Sequence, residues 1–341
     1  MKKLIKRGFA ALLALTLALG MSVSAFAAEG TADTKTATAV AQKDYQLTND
    51  KTTSPAETFT FTATAEGATD AINKDGSAVT KEQMPNLTIT PISYAAGAAG
   101  SAANSKQDLL VKPDKDFPSV GVYTYTVTET DGKTAGVGYN QEKLELKVTV
   151  FHDAKTSEIK VAYAFRINGN KDKDLVNTYS AGSLYVGKTV SGNLGNRTQK
   201  FNITVTFTAP TGKTVNSTIT YGDKTITPEM MKDGSETVTI SLADTDTMEF
   251  KNVPYGVTYK VQEDTYKGYK TTYSVNDETP EGADYVQGTI NDKRTVAHVF
   301  NEKEGSVDTG VILHSAPYVL LLVGVGAAAV AFLILKKHRE V

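Results

Sequence analysis

Lysine, glutamate and asparagine occur in the same order twice along this chain: Lys43, Glu129 and Asn177, then Lys188, Glu263 and Asn301. Each lies in a run whose alternate residues are apolar, and alternate residues of a β-strand share one face. In GVTYKVQED the residues Val257, Tyr259 and Val261 align with Glu263, and in GVYTYTVTE the residues Tyr123, Tyr125 and Val127 align with Glu129. In SLYVGKTV the face Leu184, Val186, Val190 includes Lys188, while Lys43 aligns with Ala41, Tyr45 and Leu47. Leu175 and Tyr179 flank Asn177, and Ala297 and Val299 precede Asn301. A lone buried charge costs several kcal/mol, so one such residue would ordinarily mark a strand end in water. Six in matching order point to a shared chemistry.

That chemistry is acyl transfer. Desolvation lowers a lysine pKa and raises a glutamate pKa, leaving both groups neutral. A neutral amine is a nucleophile, and the asparagine side-chain carbonyl is an electrophile. A protonated carboxyl can polarise that carbonyl and pass protons to the departing ammonia. The product is an intramolecular Lys–Asn isopeptide bond between the first and last strands of a domain. Glu57, Lys51 and Lys303 are alternative reactants, on less apolar faces.

The elements that would hold these residues are strands. From the end of a Thr/Ala-rich lead-in (28–37) to Asn301, short alternating runs such as TFTFTATA, KLELKVTVF, FNITVTFTA and TVTISLAD are separated by Gly, Asn, Asp and Pro. β-Branched and aromatic alternation of this kind is the strand signal, and no amphipathic helix competes with it. The expected fold class is all-β, with two tandem sandwiches. GVYTYTVTET and GVTYKVQEDT share the frame G-V-x-Y-x-V-x-E, which divides the chain into halves at 38–180 and 183–303. The junction NTYSAGSLY is too short for a floppy linker and predicts a semi-rigid rod. The low-complexity stretch Tyr94–Asn104 reads as an exposed loop.

Composition excludes several classes. The chain contains no cysteine and no tryptophan, so disulfides and thiolate metal sites are ruled out. Only His152 and His298 lie in the folded part, too few for a His-rich metal site or a Ser-His-Asp triad. No metal or other cofactor is expected, and no paired carboxylates suggest a hydrolase.

The two ends predict export. MKKLIKR, an apolar stretch and AFA-AEG have the parts of a secretory signal peptide cleaved after Ala27. Ser315–Leu335 is uncharged for 21 residues and precedes KKHREV. That is enough to span a bilayer with the C-terminus inside. Without the four Lys/Arg of the signal, the three of the tail and Glu340, the outer segment keeps 29 basic and 37 acidic residues, a net charge of −8. Such a surface argues against nucleic acid as a partner.

FPSVGVYTYTVTET, VGKTVSGNLGNRTQKFNITVTF, YGVTYKVQEDTYKGY and the closing VFNEKEGSVDTG together resemble the streptococcal-type pilin isopeptide-linkage domains of Gram-positive backbone pilins. The resemblance implies immunoglobulin-like (CnaB/pilin-type) sandwiches. It pairs Lys43 with Asn177 under Glu129, and Lys188 with Asn301 under Glu263. Ser306-Val307-Asp308-Thr309-Gly310, followed by the apolar span and basic tail (306–341), resembles a cell-wall sorting signal. A sortase would cut between Thr309 and Gly310 and transfer the threonine to a lysine of an identical subunit, to peptidoglycan or to a basal pilin. The common pentapeptide is Leu-Pro-x-Thr-Gly, of which this chain keeps the last two residues. In related pilins the acceptor lysine lies shortly before the first isopeptide asparagine, where INGNKDKDLVN offers Lys171 and Lys173, with Lys171 preferred. The implied protein is a structural subunit of a cell-surface pilus rather than an enzyme. A wall-anchored adhesin or accessory pilin, not polymerised, is the alternative.

Overall fold

A computed structural model of the chain describes residues 36–101, 106–171, 174–276 and 278–305. The signal peptide, most of the lead-in, Lys173, the sorting sequence Ser306–Gly310 and the apolar span lie outside the described residues. Among the described residues the chain is built of strands, with one turn of 3₁₀ helix at Lys81–Gln83.

The first sandwich begins with β1 (Thr38–Leu47), β2 (Glu57–Phe59), β3 (Phe61–Thr69), β4 (Leu87–Ile89), β5 (Ile92–Tyr94) and β6 (Lys106–Pro113). It continues with β7 (Gly121–Glu129), β8 (Val137–Gly138), β9 (Leu144–His152), β10 (Ile159–Ile167), β11 (Asn170–Lys171) and β12 (Asp174–Tyr179). One sheet has the order β4-β6-β1-β12-β8 and the other β11-β10-β9-β7-β3, with β2 and β5 forming a small separate ribbon. Tyr45, Phe59, Tyr123, Tyr125, Leu144 and Tyr179 fill the space between the sheets. Large tyrosines thus do the packing in a domain with neither tryptophan nor disulfide.

The second sandwich comprises β13 (Ala181–Ser191), β14 (Phe201–Thr208), β15 (Ile219–Tyr221), β16 (Lys224–Ile226) and β17 (Ser235–Leu242). Then follow β18 (Thr247–Pro254), β19 (Thr258–Glu263), β20 (Lys270–Val275), β21 (Val286–Thr289) and β22 (Arg294–Glu302). Its sheets run β16-β15-β18-β13-β22-β20 and β17-β14-β19-β21. Phe201, Phe207, Phe250, Leu184 and Val261 are buried between them.

In both sandwiches the first strand lies beside the last, in parallel: β1 with β12 and β13 with β22. Each of these first strands carries a register shift near its start, at Ala39/Ala41 and at Gly182/Leu184. From that point on the alternation is regular. Such a bulge sharpens the twist of a strand and lets the rest of it run in register with a second partner.

Only Ser180 separates β12 from β13, and the two domains are tied together around it. The Ser180 N–H donates to Gly136 O at 2.8 Å, and the Tyr255 N–H donates to Ser180 O at 3.0 Å. Gly136 has φ +78°, and a Cβ there would lie 2.6 Å from Ser180 O, so only glycine fits. Asn252 spans the junction: its Oδ1 accepts from the Thr53 N–H at 3.0 Å, and its Nδ2 donates to Thr53 O at 2.9 Å and Thr218 O at 3.0 Å. The short junction expected from the sequence is therefore also a hydrogen-bonded one.

The segment after Tyr94 is a loop, as expected, but it departs from expectation at two residues. Ala98 and Ala99 are buried, because the Gly97 and Gly100 N–H groups donate to Ser54 O and Tyr45 O and draw the small side chains onto the sheet. The described part of this stretch is a turn-rich loop with Ala95, Ala96, Gly97 and Gly100 exposed, of which Ala98 and Ala99 alone pack onto the sheet.

Candidate functional sites: two buried Lys–Glu–Asn trios

The alternation that sets the faces also buries the six polar residues. Lys43, Lys188 and Asn301 are 0% exposed, Asn177 1%, and Glu129 and Glu263 5% and 7%. Lys43 and Asn177 come from adjacent strands, in a register that pairs Lys43 with Leu175 and Tyr45 with Asn177. Lys188 pairs with Val299, and Val190 with Asn301. In each domain, then, the asparagine lies two residues beyond the lysine's partner, on the same inward face. The glutamate comes from the facing sheet, at the end of β7 in the first domain and of β19 in the second.

In the first trio Lys43 Nζ contacts Asn177 Oδ1 directly. Asn177 Nδ2 donates to Glu129 Oε1 at 2.6 Å, and Lys43 Nζ is 3.6 Å from the same oxygen. Glu129 Oε2 is held separately by the Asn140 N–H at 2.9 Å. In the second trio Asn301 Nδ2 donates to Glu263 Oε1 at 2.6 Å, and Lys188 Nζ is 2.9 Å from Glu263 Oε2. That Lys–Glu approach is close but off the hydrogen-bond direction, and Asn301 Oδ1 has no donor. The two carboxylates thus differ in restraint: one oxygen of Glu129 is fixed by backbone, while the oxygens of Glu263 face Lys188 and Asn301.

The electrostatics run in the direction that the chemistry needs. Burial lowers the Lys43 amine to about 8 against the opposing charge of Glu129, and burial also lowers Lys188. Both carboxyls are pushed up, again by burial, with their lysines acting in the opposite sense.

Sequence reasoning missed two contributors. Phe59 lies under Lys43, with Nζ 4.4 Å from the ring centroid, and Phe201 lies under Lys188 at 4.6 Å. Each ring covers the amine with an apolar, weakly cation-attracting face. The echo between ETFTFT and QKFNIT in the two halves was the available signal. The Asn140 N–H was not legible, since a backbone donor has no residue-type signature.

The alternatives are not assembled. Glu57 is buried near Tyr139 rather than beside an asparagine–lysine pair, Lys51 is exposed, and Lys303 stacks at 5.1 Å over Tyr269. Lys171 is exposed on β11. No group of metal-ligating side chains occurs among the described residues.

Residues 37–180 match the family model of the Spy0128-like isopeptide containing domain, and residues 182–303 match that of a domain of unknown function (DUF7601). A pilin of Streptococcus pyogenes serotype M1 is 29% identical over 310 residues, covering 84% of this chain and 87% of that protein. The crystal structure of the major pilin from Streptococcus pyogenes is similar in fold, with a TM-score of 0.52 and 24% identity over 78% of this chain and 98% of that one. The T-13 major pilin of the same organism gives a TM-score of 0.53 at 20% identity, covering 82% and 100%.

Proposed function

We propose that this chain, a pilin relative whose first sandwich is a Spy0128-like isopeptide containing domain, is the repeating structural subunit of a covalent cell-surface pilus. Each sandwich closes itself with a Lys–Asn bond, Lys43 to Asn177 and Lys188 to Asn301, and a sortase joins Thr309 of one subunit to Lys171 of the next. Export, membrane retention of the precursor and final attachment to peptidoglycan or a basal pilin follow from the terminal segments read in the sequence.

The observation that carries this reading is the repeated placement of a glutamate between a buried amine and a buried carboxamide. Proton transfer from the ammonium to the carboxylate leaves a neutral amine and a neutral acid, the state that burial favours. The amine attacks Asn Cγ, and a Cγ–Nζ bond forms. The acid gives its proton to Nδ2, which already lies 2.6 Å away. The Cγ–Nδ2 bond breaks, ammonia leaves, and the carboxylate takes the surplus proton from Nζ. The glutamate ends as the neutral acid, and the two buried charges of the starting ion pair are gone.

The test is the intact mass of residues 28–309. Each bond expels one ammonia, about 17 Da, so the expected chain is lighter by two ammonias. An unmodified mass would reject both clamps and favour an anchored adhesin that is not cross-linked.

A further inference from the structure

We propose that Thr214 and Asn216 of the second sandwich are positioning residues for the cross-link of the first. Acting through the loop 130–143, they hold the groups that surround Lys43 and Glu129. The Lys43–Asn177 bond then closes only after the second sandwich has folded and docked. The inference rests on the self-closing reading above and gives its two bonds an order.

The loop 130–143 joins β7 to β9 and carries two groups onto the first trio. The Asn140 N–H donates to Glu129 Oε2 at 2.9 Å, which turns Oε1 toward Asn177 Nδ2 at 2.6 Å. Tyr139 meets Phe59 edge-on, with ring centroids 6.0 Å apart, and Phe59 is the ring under Lys43 Nζ. Within the first sandwich the loop is held by β8, where Val137 and Gly138 pair with Tyr179 and Thr178, and by Tyr139 beside Glu57.

Further restraints come from the other domain. The Ala135 N–H donates to Thr214 O at 2.8 Å, and the Thr214 N–H donates to Lys133 O at 2.9 Å, a short parallel bridge centred on Thr134. Asn216 Nδ2 donates to Thr134 Oγ1 at 2.9 Å, and the Thr134 N–H reaches Tyr139 Oη at 3.4 Å. Ala135 belongs to the first domain but is buried in the core of the second, with Val215 from the same segment as Thr214 and Asn216. Fixing a loop costs backbone entropy at every residue, and the two ladder positions of β8 offset little of it. The bridge supplies three more hydrogen bonds and a buried side chain, all dependent on the second sandwich.

The dependence runs one way. Asn177 stands three residues before Ser180, about 10 Å along its strand, whereas Lys188 stands eight residues after it, about 26 Å. The second trio draws its support from its own sandwich. Tyr273 Oη accepts from the Glu263 N–H at 3.0 Å, and Tyr266 and Tyr269 meet Phe201 edge-on at 4.8 and 5.2 Å. The second bond therefore needs one folded domain and the first needs both. What the first bond requires is the folding and docking of the second sandwich, not the Lys188–Asn301 link itself. A chain threaded out amino-end first would keep its first trio unreacted until the whole outer segment had folded.

The deciding experiment follows refolding of the mature chain, residues 28–309, by intact mass with peptide mapping. The natural chain is compared with Thr214→Pro, which removes the N–H that reaches Lys133 O, with Asn216→Ala, and with Thr214→Val, which keeps the backbone bridge. In the natural chain the species lighter by one ammonia carries the Lys188–Asn301 bond, and the Lys43–Asn177 bond follows. Thr214→Pro slows the first-sandwich bond roughly tenfold or more, the rate equivalent of about one lost buried hydrogen bond, and leaves the second bond at its natural rate. Asn216→Ala slows it less, and Thr214→Val shows natural kinetics. Hydrogen exchange in the Asn177→Ala background, where the first bond cannot form, separates the loop from the sandwich. There Thr214→Pro exposes the Asn140 amide while the amides of β7 and β9 keep their protection.

Natural-rate closure of the first bond in Thr214→Pro, or a one-ammonia species already joined at Lys43–Asn177, overturns the inference and leaves the clamps themselves intact. Equal loss of protection across β7 and β9 overturns it by showing a general structural role. Should Thr214→Pro slow both bonds, Asn216→Ala decides, and natural kinetics in that variant overturn the inference. A natural chain that sheds no ammonia defeats the clamp reading itself, and the inference with it.

Discussion

Glu263 Oε1 accepts a 2.6 Å hydrogen bond from Asn301 Nδ2 across the second sandwich, and Glu129 Oε1 accepts one of the same length from Asn177 Nδ2 across the first. The carboxyl is thus already on the nitrogen that would depart under the proposed cross-linking, and the amine approaches from the neighbouring strand. Two sheets must be packed in register before the trio exists, so the proposed cross-link would be a product of folding rather than its cause.

Removing one glutamate should cost one bond. Glu129→Ala and Glu263→Ala are each expected to retain one ammonia, about 17 Da, relative to the natural chain. Peptide mapping after proteolysis would place the unreacted pair in the domain that was altered. Loss of both bonds from a single substitution would contradict two independent sites.

Glu263→Ala also strands Lys188, whose side chain is fully buried. Leaving one partner of a buried pair uncompensated costs roughly 3–5 kcal/mol. Lys188→Met combined with Glu263→Leu should recover most of that loss without restoring the bond. Urea unfolding of the two variants separates charge burial from cross-linking, and equal midpoints would reject the distinction.

Asn301→Ala should prevent the proposed bond and leave Lys188 beside Glu263. A bond from 188 to 301 closes a loop of about a hundred residues, worth about 4–5 kcal/mol by the chain-entropy argument for disulfides. A clear fall in the melting temperature of the second domain is expected in calorimetry. An unchanged transition would mean that the native bond is absent.

Closure of the first domain should depend on pH. The amine reacts when neutral, so refolding at a series of pH values should give bond formation that accelerates from acid toward about 8, the value to which burial lowers Lys43. In Asn177→Ala, where no bond forms, linkage gives the matching stability effect. The folded pKa of about 8 lies below the ordinary 10.5, so the unfolded chain binds the extra proton. The Lys43 contribution to stability therefore rises with pH between those values and is lost below about 8. Mass sampling during refolding and urea midpoints check the two halves, and a flat profile in either would count against a buried amine.

Asn252→Ala should loosen the junction. It deletes two hydrogen bonds to Thr53 across the junction and one to Thr218 within the second sandwich, each worth about 1 kcal/mol net. Asn252 also has φ +62°, which alanine tolerates poorly. The expected outcome is separation of one unfolding transition into two, together with a broader spread of inter-domain distances in small-angle scattering.

The inward faces were legible because alternation is a local property. Val257, Tyr259, Val261 and Glu263 are all buried, and so are Tyr123, Tyr125, Val127 and Glu129. Lys43 needed more than pattern: Leu47 on its face is only half-buried, and the shift at Ala39/Ala41 breaks the alternation upstream. Register between first and last strands, the fixing of Glu129 by the Asn140 N–H and the burial of Ala98 and Ala99 depend on residues distant in the chain. Those relationships have no residue-type signature, and only the three-dimensional arrangement reveals them.

The single residue between β12 and β13 has a mechanical consequence under the proposed linkages. Tension entering at Lys171 would follow the backbone through Ser180 to Lys188, step across to Asn301 and leave through Thr309. Every residue from 189 to 300, and the whole first sandwich before Lys171, would hang outside that tensile line. Such a fibre could be pulled without drawing slack from its folded parts, and the Lys43–Asn177 bond would serve as a retaining tie rather than a link in the cable.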